Sequence, residues 1–102
     1  MENGKKYDEL KPPMELLSHE ALVEIAKVMG HGRTKYGAYN YRKGIEYSRI
    51  IGAAYRHLGA FNSGQDLDPE SGISHIAHLG ACAMMLLDYI REHQELDDRY
   101  KP

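Results

Sequence analysis

Apolar residues recur along this chain at three- and four-residue spacing, the pattern of helices that bury one face. The first run covers residues 14–30, MELLSHEALVEIAKVMG, with Leu17, Ala21, Ile25 and Val28 on one stripe. A helix of that length is about 25 Å long. Ser18 offers an alternative start, as an N-cap with His19 the first helical residue. Gly30 and Gly32, around His31, mark the expected end. The second run covers residues 45–62, with Ile50, Ala54, His57, Leu58 and Phe61 on one stripe and Ser63-Gly64 closing it. Gly52 lowers its helix propensity but permits close helix approach. The third run covers residues 68–95, with Ile73, Ile76, Ala77, Gly80, Ala83, Met84 and Leu87 as the core stripe. Asp68 suits an N-cap and Pro69 the first helical position; alternatively Ser71 caps and the helix starts at Gly72. No stretch alternates in the manner of a strand. The pattern therefore predicts a single all-α domain over residues 1–102, a small bundle of three main helices.

The connections complete this picture. Residues 1–13 are a polar arm closed by Pro12-Pro13, which hold the chain extended. Residues 31–44, HGRTKYGAYNYRKG, form a long basic, tyrosine-rich loop between helices one and two. A loop of that length on a small bundle suggests a functional role. After Leu87 the pattern turns charged. EHQELDDRYKP reads as a solvated end, residues 96–102 as a tail, and Glu92, Glu95 and Asp98 as a solvated face.

Composition narrows the function classes. With 102 residues, 42% apolar and 27% charged, the chain has the balance of a soluble globular domain. So small a domain buries a limited core, and forming a homo-oligomer is an easy way to bury more. The net charge of −2 supplies no basic field for polymeric nucleic acid and favours a small charged ligand. The lone Cys82 cannot form an internal disulfide. No apolar run has the length of a membrane span, and the first ten residues lack the apolar core of a signal peptide. The expected location is cytoplasmic, and the expected partner a small molecule.

Four groups of residues carry candidate chemistry. Asp66, Asp68, Glu70, His75 and His78 fall within thirteen positions. His75 and His78 project to the same side of a helix, and nearby carboxylates can complete a cation's shell. The bland alternative makes Asp68 a cap and the histidines interhelical hydrogen bonders. Glu20 and Glu24 are adjacent on helix one and read as metal ligands, or as a pair that Lys27 neutralises. Arg56-His57 places an inward histidine beside a cation, and Arg49, seven residues earlier, shares the face of Arg56 for gripping phosphates. In the loop, Lys35 suits phosphate, Tyr36 and Tyr41 suit base stacking, and Asn40 suits a base edge or sugar. The alternative is a loop whose polar groups satisfy its own backbone.

Lys35-Tyr36-Gly37 with Asn40, then Arg56-His57-Leu58, then Gly64 through His78, together resemble the phage-type dATP/dGTP diphosphohydrolase N-terminal domain family. That family is similar to the MazG-like all-α nucleoside triphosphate pyrophosphohydrolases. The resemblance covers about residues 10–90. It implies hydrolysis of a deoxynucleoside triphosphate, dATP or dGTP, to the monophosphate and pyrophosphate, with Mg2+ or Mn2+ as cofactor, in an infected bacterial host. On that reading Glu24, His57 and Asp68 are catalytic, and Glu20, Glu24, Asp68, His75 and His78 hold metal. Lys35, Tyr36, Asn40, Tyr41 and Arg56 bind substrate. The paired Glu-x-x-Glu and Glu-x-x-Asp of MazG-like enzymes are missing from the core helices. Histidines stand in their place and suit Mn2+ or a softer ion better than Mg2+. A non-catalytic nucleotide-sequestering protein is the alternative from a different class.

Overall fold

The computed structural model describes residues 3–102; the first two residues of the polar arm lie outside the described residues. It holds three α-helices, α1 (His19–Tyr36), α2 (Tyr47–Asn62) and α3 (His75–Glu92). Single 3-10 turns lie at Met14–Leu16, Asn40–Lys43 and Gln94–Leu96. Among the described residues there is no strand, only one isolated bridge between Leu67 and Ser74. The all-α bundle expected from the periodicity is the observed architecture. Among the described residues no helix is long and apolar enough to cross a membrane.

α1 begins where Ser18 allows. The Ser18 hydroxyl accepts the Ala21 N–H at 3.1 Å and satisfies one of the unpaired donors of the first turn. The helix then runs past Gly30 and Gly32 to Tyr36, six residues beyond the expected end. Arg33 and Lys35 in its last turn sit favourably against the negative end of the helix dipole. Gly37, at φ 92°, stops it, and its N–H closes on the Arg33 carbonyl. The predicted loop therefore shrinks to residues 37–46, and Lys35 and Tyr36 are helical.

α3 also departs from expectation. It starts at His75, capped by Ser74, whose hydroxyl accepts the Ile76 N–H at 3.1 Å. Neither Asp68 nor Ser71 caps it, because both are engaged in a preceding turn. The buried face carries His75, Ala77, Ala81, Cys82 and Tyr89. Ile76 and Leu87, placed on the core stripe by the sequence, are exposed instead. The first buried side chain is polar, so hydropathy alone misplaces the inward face. On α2 the stripe is right at Ile50, Ala54 and His57, whereas Leu58 and Phe61 lie on the outside.

The core lies between α2 and α3, where Tyr47, Ile50, Cys82 and Tyr89 cluster with Ile51, Ala54, Met85 and Leu86 around them. Tyr89 is its pivot, at 1% exposure. Its hydroxyl donates to the Tyr41 carbonyl at 2.6 Å, and its own carbonyl accepts from the Tyr47 hydroxyl at 2.9 Å. These bonds satisfy polar groups that would otherwise be stranded in an apolar interior.

The C-terminal segment faces solvent but is docked. Asp98 accepts from the Ser48 N–H at 2.8 Å and from its hydroxyl, so it closes the first turn of α2. Leu96 packs on the core, and Gly44, at φ 97°, lies against it; a Cβ there would stand 2.5 Å from Leu96. Gly80 has a different use: a Cβ on it would meet Ile25 at 2.8 Å, so its absence lets α1 approach α3. Gly52, expected to serve helix approach, instead faces the Arg56 guanidinium.

Candidate nucleotide and metal site

Between α2 and α3 the chain makes a turn that no regular element describes. Asp68 builds it. Its carboxylate accepts the Ser71 N–H and the Ser71 hydroxyl, both at 2.9 Å, an Asx-type turn. Its carbonyl accepts the Gly72 N–H at 2.7 Å, with Gly72 in the left-handed region at φ 72°. The Asp66 carbonyl accepts the His75 N–H at 2.9 Å and ties the turn to α3. Ser71 and one Asp68 oxygen, Oδ2, are thereby engaged in shaping the turn, and neither Ser71 bond uses Oδ1.

This turn meets three histidines. His57 Nδ1 and His75 Nδ1 stand 2.9 Å apart. The His57 and His78 rings stack with centroids 4.4 Å apart and planes 6° from parallel. His78 Nε2 lies 2.7 Å from the Ser71 hydroxyl and 3.7 Å from the Asp68 carboxylate. His75 Nε2 lies 2.7 Å from Gln65 Oε1.

The partners fix each tautomer. Gln65 Oε1 only accepts, so His75 Nε2 carries a proton and its Nδ1 a lone pair. His57 Nδ1–H then donates to that lone pair, which leaves His57 Nε2 unprotonated. The Ser71 proton goes to Asp68, so Ser71 Oγ accepts from His78 Nε2–H. With these tautomers each ring-nitrogen contact of the cluster pairs a donor with an acceptor.

Their electrostatics agree. Burial, then the neighbouring His78 and His75, push the His57 pKa below its ordinary 6.5. Burial likewise lowers that of His78, against the pull of Asp68. For Asp68, burial disfavours the charged form, but the Ser71 hydrogen bonds and the facing histidines outweigh it and keep the carboxyl below its usual range. Donor atoms of His57, Asp68 and His75 all lie within 4.8 Å of one another, the spacing of ligands around one metal ion.

The cluster forms one wall of a cleft of about 530 Å³ between α1, α2, α3 and the turn. That size lies within the range of small-molecule sites. Lys35, Arg49 and Arg56 bring positive charge to it, with His31 beside them. Ile45, Ile50, Ala53, Ala81, Cys82 and Met85 supply apolar lining. Lys35 forms an ion pair with Glu70 at 2.5 Å, which raises the Lys35 pKa and lowers that of Glu70.

The predicted residues therefore separate into two sets. Lys35, Tyr36, Arg49, Arg56, His57, Asp68, Glu70 and His78 line the cleft, and His75 lies buried behind His57. Glu20 and Glu24 are not brought to it; Glu24 lies 2.9 Å from Lys27, one turn along α1, and Glu20 is exposed. Asn40 and Tyr41 also fall outside the lining. Tyr41 packs against the core, so the ring expected to stack a base is occupied. Three participants carried no sequence signal strong enough to single them out. His31 had been placed at a helix end, Ser71 looked like a cap, and Gln65 is an ordinary polar residue until the fold sets it against His75.

A pH dependence follows. His57 and His78 have lowered folded-state values, so the unfolded chain takes up protons first as pH falls below about 6.5. Their contribution to stability is present above 6.5 and is lost below it. His93 acts in the other window. Its two ring nitrogens face the Glu95 carboxylate and the Arg42 carbonyl at 2.8 Å each, acceptors that favour imidazolium and raise its pKa. Its contribution is present below 6.5 and is lost as pH rises through its folded-state value. The histidine part of the stability profile should peak near pH 6.5. Urea midpoints between pH 5 and 8 test this, and His93→Gln should flatten the alkaline side alone.

Comparison with known proteins places the chain. It is 31% identical over 96 residues to a protein named dATP/dGTP diphosphohydrolase from Salmonella phage PMBT28. The match takes in 94% of this chain and 33% of the relative, so the chain spans about a third of that relative's length. No solved structure matches. The family model described as "dATP/dGTP diphosphohydrolase, N-terminal" matches residues 1–99, and the chain belongs to that family.

Proposed function

We propose that the cleft binds a purine deoxynucleoside triphosphate and hydrolyses it to the monophosphate and pyrophosphate. The observation that carries this reading is the meeting of three cationic side chains, Lys35, Arg49 and Arg56, with His57 and Asp68 in one cleft, the buried His75 adjoining them. A triphosphate needs several positive groups, and the two guanidiniums offer bidentate hydrogen bonds to its oxygens. The apolar lining by Ile45, Ile50 and Met85 suits a base.

The donor set, two neutral imidazoles and a carboxylate, fits a divalent cation, and fits Mn2+ better than Mg2+. His57, Asp68 and His75 would hold it; when bound, such an ion polarises a phosphoryl oxygen and acidifies water. The chain's own groups do the remaining work. Asp68, ionised and fixed by Ser71, supplies a hydrogen-bond acceptor that orients water in the cleft. Glu70 holds Lys35 until phosphate displaces it.

The test is pyrophosphate release from dATP, dGTP, dCTP and dTTP with Mg2+ and with Mn2+. Release from the purine nucleotides above a control lacking protein supports the reading. Nucleotide bound stoichiometrically and recovered intact would refute hydrolysis and leave a binding protein.

A further inference from the structure

Among the described residues His75 is a buried ionisable side chain, at 4% exposure, and its environment is more specific than burial requires. A buried imidazole needs a partner at each nitrogen, and any donor or acceptor would serve. Here Gln65 accepts from Nε2–H, and the tautomer left turns the Nδ1 lone pair toward His57. A carbonyl acceptor on the far nitrogen of a histidine is the arrangement that orients metal-binding imidazoles.

We propose that Gln65 is the positioning residue of a first-row transition-metal site formed by His57, Asp68 and His75, in which the ion takes the place of the proton now shared between two Nδ1 atoms. The spacing suits the exchange. Metal–nitrogen bonds of about 2.1 Å hold two ligand nitrogens about 3.0 Å apart at a right angle and about 3.4 Å apart in a tetrahedron. The two Nδ1 atoms stand at 2.9 Å, so little translation is needed, and a turn of each ring by about 35–45° brings both lone pairs onto one ion. The proton balance is simple: the His57 proton moves from Nδ1 to Nε2 through solvent, and no net proton leaves the imidazoles. Asp68 contributes the one negative charge of the donor set. Mg2+ demands oxygen ligands and dehydrates reluctantly, so a site with two nitrogens and one carboxylate selects against it. His78 serves as a support, since its Nε2–H is held by Ser71 while its ring stacks on His57.

This inference deepens the proposed function and rests on the cleft being the working site, yet its test needs no nucleotide. Wild-type protein titrated with Co2+ should develop visible absorption bands, and Zn2+ or Mn2+ should raise the melting temperature where equal Mg2+ does not. Gln65→Leu should weaken Co2+ binding about 10- to 100-fold, and Gln65→Glu, which keeps the acceptor, should restore it. His57→Ala, at a half-buried position, should abolish the bands. A silent Co2+ titration of the wild type, or equal stabilisation by Mg2+, would overturn the site. Unchanged Co2+ affinity in Gln65→Leu, or loss in Gln65→Glu as well, would overturn the role of Gln65. A wild-type protein that cleaves nucleotide with Mg2+ and ignores Co2+ sinks this inference alone. One that takes Co2+ and leaves nucleotide intact sinks only the proposed reaction.

Discussion

Arg56→Ala should weaken triphosphate binding about 10- to 100-fold while leaving the fold intact. A charge-assisted hydrogen bond contributes roughly 1.5–3 kcal/mol, and 1.4 kcal/mol is a factor of ten. Arg56 is solvent-facing, and no salt bridge among the described residues involves it, so its loss strands no partner. Its guanidinium lies over Gly52, where a Cβ would approach Nη1 to 3.2 Å; the glycine leaves it room in the cleft. Lys35→Ala should act in the same direction, with little cost in stability, because the Lys35–Glu70 pair is exposed and such pairs contribute about 0–1 kcal/mol. Glu70→Gln should have the opposite sign and tighten binding, since it releases Lys35 from its internal partner. Titration of the three variants with a non-hydrolysable dGTP analogue, alongside thermal melts, separates the effects. Weakening in Glu70→Gln, or unchanged affinity in both cation variants, would mean that the phosphates lie elsewhere.

This charge series was partly readable in the sequence. Arg49 and Arg56 share a helical face by spacing alone, and both line the cleft. His57 shared a stripe with Ile50 and Ala54, so its inward direction followed from period. The boundaries of α1 and α3 did not follow. Gly30 and Gly32 look like a stop, yet both are helical, and the decisive signal, a glycine at φ 92°, lay further on at Gly37. Asp68 and Ser71 have the chemistry of N-caps and use it on each other, three residues apart, instead of on a helix. Local propensity cannot separate those uses, because both satisfy a backbone N–H with the same side chains. Gln65 is harder still. Its role depends on a partner ten residues away across a turn whose path the sequence pattern did not give. Glu24 shows the converse case: its spacing offered both a metal and Lys27, and in the fold its carboxylate lies 2.9 Å from Lys27.

Tyr89→Ala should cost about 3–5 kcal/mol, the largest loss of stability expected from a single change here. Domains of this size are stable by only about 5–15 kcal/mol, so about a fifth or more of the margin is at stake. The reason is position as well as size. Tyr89 joins three segments: α3 itself, α2 through Tyr47, and the 37–46 loop through the Tyr41 carbonyl. Tyr89→Phe separates the contributions. It keeps the ring and the Tyr47 bond to the Tyr89 carbonyl, and removes only the hydroxyl that donates to Tyr41. The Tyr41 carbonyl still accepts the Gly44 N–H at 3.0 Å, so the loss is that of one hydrogen bond, about 0.5–1.5 kcal/mol. Near its melting point a domain of about 100 residues loses roughly 4–8 °C per kcal/mol, so calorimetry resolves both variants. The Phe variant carries a functional consequence that the Ala variant obscures. Ile45 follows the 37–46 loop's 3-10 turn and lines the cleft, so loosening Tyr41 should reduce nucleotide affinity through the base end of the site. Inorganic tripolyphosphate, which lacks a base, should bind Tyr89→Phe as it binds the wild type. A Phe variant as stable as wild type would show that the hydroxyl is not bonded in the folded state. Equal weakening of nucleotide and tripolyphosphate would place the loop against the phosphates instead of the base.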